Sequence, residues 1–258
     1  MNAKLNFKME GNGPAVVFLH GFCESLNIWD DFFADLSKGF NAIAIDLPGF
    51  GKSPLPSSSI SIEEYAHQVH QCLLEQGITS YNLVGHSLGG YVGLALAELF
   101  PSSLLSLVMF HSSAFADTEE KKLSRNKSIE FVERNGSSAF AKTLIPTLFF
   151  EGSKEKFKTE IAQLIEEADK ILPAAITAAL GAMRDRKDRI AILKSIKAPV
   201  FFIIGNEDAA IPLDTSLKQC YLAPIFEVLF LGETAHMGMI EKPEEAMKSL
   251  RNFLIQLS

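Results

Sequence analysis

One serine stands with glycines two places to either side in "VGHSLGG", Val84 to Gly90. A serine hydroxyl is a weak nucleophile until a base takes its proton, and an imidazole base works best when a carboxylate fixes its tautomer. Far down the chain, "GNEDAAIP" (205–212) offers Asp208 and "AHMGMIEKP" (235–243) offers His236. The residue types needed for nucleophilic acyl transfer therefore occur in the order Ser87, Asp208, His236. Glu207 and Asp214 are close enough in sequence to compete for the carboxylate role.

Ser87 lies between an apolar strand pattern, "YNLVG" (81–85), and a helix pattern, "YVGLALAELF" (91–100), that stops before Pro101. A sharp strand-to-helix turn strains the serine backbone and leaves no room for side chains at Gly85 and Gly89. It points the hydroxyl out of the sheet and puts the following N–H groups at a helix N-terminus, where they stabilise negative charge.

Further strands are expected at 14–20, 41–46, 104–110, 199–205 and 226–232, near-continuous apolar runs of the kind covered on both faces. They alternate with helical patterns, which predicts an α/β fold with a mostly parallel central sheet flanked by helices. Asp208 and His236 then fall just past two successive strands, at the carboxyl edge where such a sheet presents its ligands. "LNFKME" followed by "GNGP" predicts an opening antiparallel hairpin. Ser61 with Glu64 three places on forms a capping box ahead of Ile62, Tyr65, Ala66, Val69, Cys72 and Leu73 at helical spacing.

From 114 to 188 the alternation stops. Helical patterns at 118–134, 137–144, 154–172 and 174–183, punctuated by Gly136 and Pro173, predict a helical cap inserted into a core made of 1–113 and 189–258.

Composition narrows the function classes. A chain of 258 residues, 47% apolar and 21% charged, suits one large globular core. The formal charge is −7, and "RDRKDR" (184–189) is broken by two aspartates, so the basic stripe that nucleic acid requires is absent. The start lacks a secretory pattern and no apolar run is long enough to span a bilayer, which predicts a soluble, cytoplasmic protein without a membrane partner. Cys23, Cys72 and Cys220 are odd in number and far apart, and read as free packing thiols. His67 and His70 lack a third ligand, so no metal is expected. "DLPGFGKS" (46–53) ends Gly-Lys-Ser but misses the earlier glycine of a phosphate loop, and no G-x-G-x-x-G follows a strand, so no cofactor is expected.

Together, "HGF" (20–22), "DLPGFGKS", "GHSLGG" (85–90), "GNEDAAIP" and "AHMGMIEKP" resemble the α/β-hydrolase family, in its lid-bearing, esterase-like group, over nearly the whole chain. The resemblance implies Ser87 as nucleophile, His236 as general base and then acid, and it aligns Asp208 as the orienting carboxylate. It also implies an oxyanion hole from the backbone N–H groups of Phe22 and Leu88, with Cys23 one residue too far along. His20 and His86 flank glycine turns and are expected to tie loops together, whereas His111 follows a strand at the carboxyl edge.

Relatives with an aspartate at the elbow, such as haloalkane dehalogenases and many epoxide hydrolases, are disfavoured by the serine. The expected function is a serine hydrolase of small molecules, a carboxylesterase on largely apolar esters. A carbon–carbon bond hydrolase or lyase, or a slow-turnover ligand-binding or signalling homologue, are the alternatives. In the cap, Leu148, Phe149, Phe150 and Met183 are candidates to face the pocket, and Arg125, Arg134 and Arg184 to hold a substrate carboxylate. Monomer and homodimer both remain open.

Overall fold

A computed structural model describes residues 4–257. In chain order the elements are β1 (Phe7–Glu10), β2 (Ala15–Leu19), α1 (Asp30–Leu36), β3 (Asn41–Ile45), α2 (Ile62–Glu75), β4 (Tyr81–His86), α3 (Leu88–Leu99) and β5 (Leu104–Phe110). Then come α4 (Glu119–Leu144), α5 (Lys158–Asp169), α6 (Pro173–Arg184), α7 (Ile190–Ser195), β6 (Val200–Gly205), α8 (Leu213–Leu217), β7 (Phe226–Leu231), α9 (Gly238–Glu241) and α10 (Pro243–Gln256).

The described residues form a seven-stranded sheet in the order β1-β3-β2-β4-β5-β6-β7. Every pairing is parallel except β1 with β3. Strands β2 and β4 are buried at every residue, β2 being apolar throughout and β4 carrying a buried Asn82 that is hydrogen-bonded to the Ala15 carbonyl and Ser106 Oγ. They carry the loops that follow Leu19 and His86 out of the centre of the sheet.

The expected opening hairpin does not form. β1 is antiparallel, but it pairs with β3, Phe7 opposite Ile45 and Glu10 opposite Ala42, and β3 intervenes between β1 and β2. The reason is burial: the fully apolar β2 needs a partner on both edges and takes β3 and β4, while the half-exposed β1 is suited to the sheet edge.

On the flanks, α2 begins with the capping box, Ser61 Oγ accepting from Glu64 N–H at 3.1 Å and Glu64 Oε2 from Ser61 N–H at 2.6 Å. It buries Ile62, Tyr65, Ala66, Val69, Cys72 and Leu73. α3 is apolar nearly all round and buried from Leu88 to Ala97.

Between β5 and β6 the chain is helical. The stretches either side of Gly136, labelled together as α4, are two helical runs broken at that residue, whose φ of 78° lies in the left-handed region and whose ψ of 176° is not helical. Pro173 opens α6 at a position where its missing N–H costs nothing. The segment leaves and rejoins the sheet at a buried ion pair, Arg186 Nη1 to Asp117 Oδ1 at 2.5 Å. Arg189 adds contacts to Glu63 at 2.7 Å and Glu98 at 3.0 Å. All three cysteines are free and buried. Among the described residues no helix is long and apolar enough to cross a membrane.

Candidate active site

Ser87 joins β4 to α3 with φ 47° and ψ −108°, a strained conformation for a residue with a side chain. Two close approaches force the flanking glycines. A Cβ on Gly85 would lie 2.5 Å from the carbonyl carbon of Gly89, and one on Gly89 would lie 2.4 Å from the carbonyl oxygen of Leu19. The turn is fixed from β5: Ser87 N–H donates to the Phe110 carbonyl at 3.0 Å, and Ser112 Oγ donates to the Ser87 carbonyl at 2.7 Å.

Leu88 is the first residue of α3, so its N–H has no helical acceptor. Among the described residues neither Leu88 N–H nor Phe22 N–H forms a hydrogen bond within the protein. Both amides are therefore available to an anionic oxygen.

Asp208 and His236 are in contact, as the sequence order suggests: Asp208 Oδ2 lies 2.7 Å from His236 Nδ1. Asp208 is 4% exposed, and its other oxygen accepts the N–H groups of Ala210 at 2.8 Å and Ile211 at 2.9 Å. Burial opposes its ionisation, but the charge of His236 and hydrogen bonds from His111 and His236 hold the carboxyl far below the usual carboxylate range. The rival carboxylates Glu207 and Asp214 are exposed.

His111 stands beside this pair with Nδ1 3.5 Å from Asp208 Oδ2, while its Nε2 accepts the Gly238 N–H at 3.2 Å. Burial pushes its basicity down to about 4, so it is a neutral brace for Asp208. His20 is a loop tie: Nδ1 donates to the Gly21 carbonyl at 2.7 Å and Nε2 accepts Leu47 N–H at 2.9 Å. His67 and His70 pack on Phe100, His70 stacked at 3.7 Å.

Ser87 is 9% exposed, and its hydroxyl forms no hydrogen bond to His236 among the described residues. Such bonds are often long in unliganded enzymes and tighten when substrate binds. The connection between them runs through the adjacent residue: His86 Nε2 lies 3.0 Å from the carbonyl oxygen of His236.

Of the apolar residues singled out between β5 and β6, Phe149 and Met183 are buried in the hydrophobic core and Phe150 is half-buried. Phe149 packs against Phe157, ring centroids 6.1 Å apart. Leu148 reaches the site through its backbone, its carbonyl accepting the His236 N–H at 2.8 Å. The three arginines have carboxylate partners: Arg125 with Asp117, Arg184 with Asp185 and Arg134 with Glu130.

Sequence reasoning gave no role to Glu241, although it lies inside "AHMGMIEKP". Its buried carboxylate accepts Ala235 N–H at 2.9 Å from the His236 loop, and Phe150 N–H at 2.9 Å and the Ser153 hydroxyl at 2.7 Å from the helical stretch between β5 and β6. Glu241→Ala leaves the buried Ala235 N–H and the half-buried Phe150 N–H without an acceptor, while Ser153 Oγ keeps the Phe150 carbonyl, and the expected loss of stability is about 2 kcal/mol. Urea unfolding beside the unaltered protein checks this, and a difference under about 0.5 kcal/mol, the usual size for surface changes, would refute it.

A strained serine elbow and an aspartate–histidine pair at the carboxyl edge of a mostly parallel sheet define the class of α/β hydrolases. The family model described as the alpha/beta hydrolase fold matches residues 14–243, and the chain is a member of that family of hydrolases. Among curated relatives, 2-(acetamidomethylene)succinate hydrolase of Mesorhizobium japonicum is 23% identical, covering 97% of this chain and 91% of its own. The pimeloyl-[acyl-carrier protein] methyl ester esterase of Pseudoalteromonas atlantica is 26% identical, covering 97% of this chain and 98% of its own. A thermophilic esterase from Thermogutta terrifontis, whose structure was solved with malate bound, superposes with a TM-score of 0.93 at 26% identity, covering 98% and 93% of the two chains.

Proposed function

We propose that the protein is a serine hydrolase acting by two-step acyl transfer with Ser87, His236 and Asp208, and that its substrates are small, largely apolar carboxylic esters. The observation that carries this reading is the union of the strained Ser87 elbow with a histidine oriented by a buried carboxylate at 2.7 Å. His236 Nε2 takes the Ser87 proton as Oγ bonds to the ester carbonyl carbon. The negative oxygen is held by the N–H groups of Leu88 and Phe22, and His236 then passes the proton to the departing alcohol. Water, activated by the same imidazole, releases the acid. The helices at 114–188 act as the cap over this site, with Phe149, Phe150 and Met183 contributing to its apolar side.

Apolar substrates are favoured over dicarboxylates because the arginines of the cap are paired with carboxylates of their own segment. A free carboxylate entering there would have to displace one of them. The test is a series of p-nitrophenyl esters of increasing acyl length beside a monoester of succinate. The expected result is a kcat/KM higher by about 10-fold for butyrate than for the succinate monoester, the discrimination that an extra buried charge imposes at about 1.4 kcal/mol. Equal or faster turnover of the succinate ester would overturn the apolar assignment. Cleavage of a vinylogous diketone, with no ester turned over, would move the protein to the carbon–carbon hydrolases.

A further inference from the structure

Glu24 and His86 lie beneath the site, and neither has a place in the acyl-transfer steps. His86 is fully buried between two acceptors: Nδ1 is 3.0 Å from Glu24 Oε2 and Nε2 is 3.0 Å from the His236 carbonyl oxygen. A neutral imidazole carries one proton, so it would turn a lone pair toward either a carboxylate or a carbonyl. Only the imidazolium donates to both.

Glu24 Oε2 also accepts the N–H of Gly21 at 2.7 Å, in the loop that carries Phe22. The packing leaves no room for a side chain there: a Cβ on Gly21 would lie 2.5 Å from His86 Nδ1 and 2.9 Å from Glu24 Oε1. The one pair thus touches three loops at once: 20–24, the elbow at 86–87, and the loop of His236.

We propose that Glu24 and His86 form a buried ion pair that positions the oxyanion amide of Phe22, the Ser87 elbow and the His236 loop against one another, a role that rests on the serine-hydrolase reading above. Neither residue touches the reacting atoms; both are positioning residues. Burial disfavours the imidazolium, but the charge and hydrogen bond of Glu24, with the His236 carbonyl, outweigh it and raise the basicity of His86 above its ordinary value. Burial likewise opposes ionisation of Glu24, and His86 with the Gly21 N–H holds the carboxyl below its usual range. The other titratable groups around His86 are His20 from the end of β2, His111 after β5, Asp208 after β6 and His236 after β7. The His111 and His236 rings are 6.1 and 4.8 Å away. The rings of Trp29 and Phe110 close the remaining sides, with centroids at 6.5 and 6.2 Å.

A histidine whose basicity is raised on folding keeps its stabilising charge at low pH and loses it as pH rises through the folded-state value. Deprotonation would free the His236 carbonyl and slacken all three loops, so Ser87 reactivity should fall on the alkaline side with the midpoint of His86.

The experiment uses a fluorophosphonate, which labels an activated serine without requiring the natural substrate. In the unaltered protein, imidazole nitrogen NMR is expected to show both His86 ring nitrogens protonated near pH 7, and the labelling rate should fall with the same alkaline midpoint. Glu24→Gln retains an oxygen for Gly21 and His86 but removes the charge. It is expected to move the alkaline limb down by at least about one pH unit and to lower kcat on an aryl ester more than about 10-fold, with KM within about threefold.

A neutral His86 near pH 7, or a labelling profile with no alkaline limb at its midpoint, overturns the proposal on the unaltered protein alone, whether or not the variant folds. Labelling of Glu24→Gln at the unaltered rate and pH profile leaves the serine-hydrolase reading standing and removes the positioning role. Absence of labelling in the unaltered protein defeats the serine-hydrolase reading, and the positioning role with it.

Discussion

Ser87→Ala is expected to lower kcat/KM on any ester the protein hydrolyses by about ten-thousand- to a million-fold, while the folded state is retained. A loss at the upper end corresponds to about 8 kcal/mol of transition-state stabilisation. No structural role competes for that loss, because the Ser87 hydroxyl makes no hydrogen bond to the protein among the described residues. The backbone also stays as it was. Alanine keeps the Cβ that is strained at φ 47°, and the bonds holding the elbow, to the Phe110 carbonyl and from Ser112 Oγ, involve only the Ser87 main chain. Activity should therefore collapse without a matching change in the thermal midpoint. Steady-state kinetics, thermal unfolding and fluorophosphonate labelling on one preparation check all three parts. A variant that keeps a tenth of the activity would place the nucleophile elsewhere.

What sequence could convey about this fold follows the range of the forces involved. The strands around 14–20, 81–85 and 199–205 were legible because a strand covered on both faces must be apolar throughout, and this is a local property. The break between the two helical runs of α4 was legible at Gly136 because a glycine's conformational freedom is likewise a local property. The partner of β1 was not, because a short strand before a glycine-rich turn suits either neighbour. Only the burial of both edges of β2 decides the matter, and that depends on strands far along the chain. The Ser87 elbow announced itself through two glycines forced by local crowding, and Asp208 and His236 through their places after strands. Glu24 and Glu241 gave no such sign. Each is a single carboxylate whose meaning lies in partners distant in sequence, His86 for the first and Ser153 with Phe150 for the second.

Asp208→Asn is expected to cost about ten-thousand-fold in kcat, and the hydrogen bonds around residue 208 show how. One carboxylate oxygen accepts two backbone N–H groups, from Ala210 and Ile211, so an asparagine must place its amide oxygen there. Its NH₂ then occupies the other position, 2.7 Å from His236 Nδ1, and donates where the carboxylate accepted. Nδ1 becomes the acceptor and the ring proton moves to Nε2, the nitrogen that takes the Ser87 proton in the proposed mechanism. The base is disabled by tautomer with its ring still in place. The same substitution changes acid stability in a calculable direction. Asp208 is held far below the usual carboxylate range, so its charge stabilises the fold above the unfolded-state value near 4 and is lost as pH falls toward the folded-state value. Asparagine does not titrate. The urea midpoint of the variant should accordingly vary less between about pH 5 and pH 3 than that of the unaltered protein. Equal slopes would mean that the Asp208 charge is neutralised elsewhere, and activity retained within about 10-fold would mean that His236 is oriented by another acceptor.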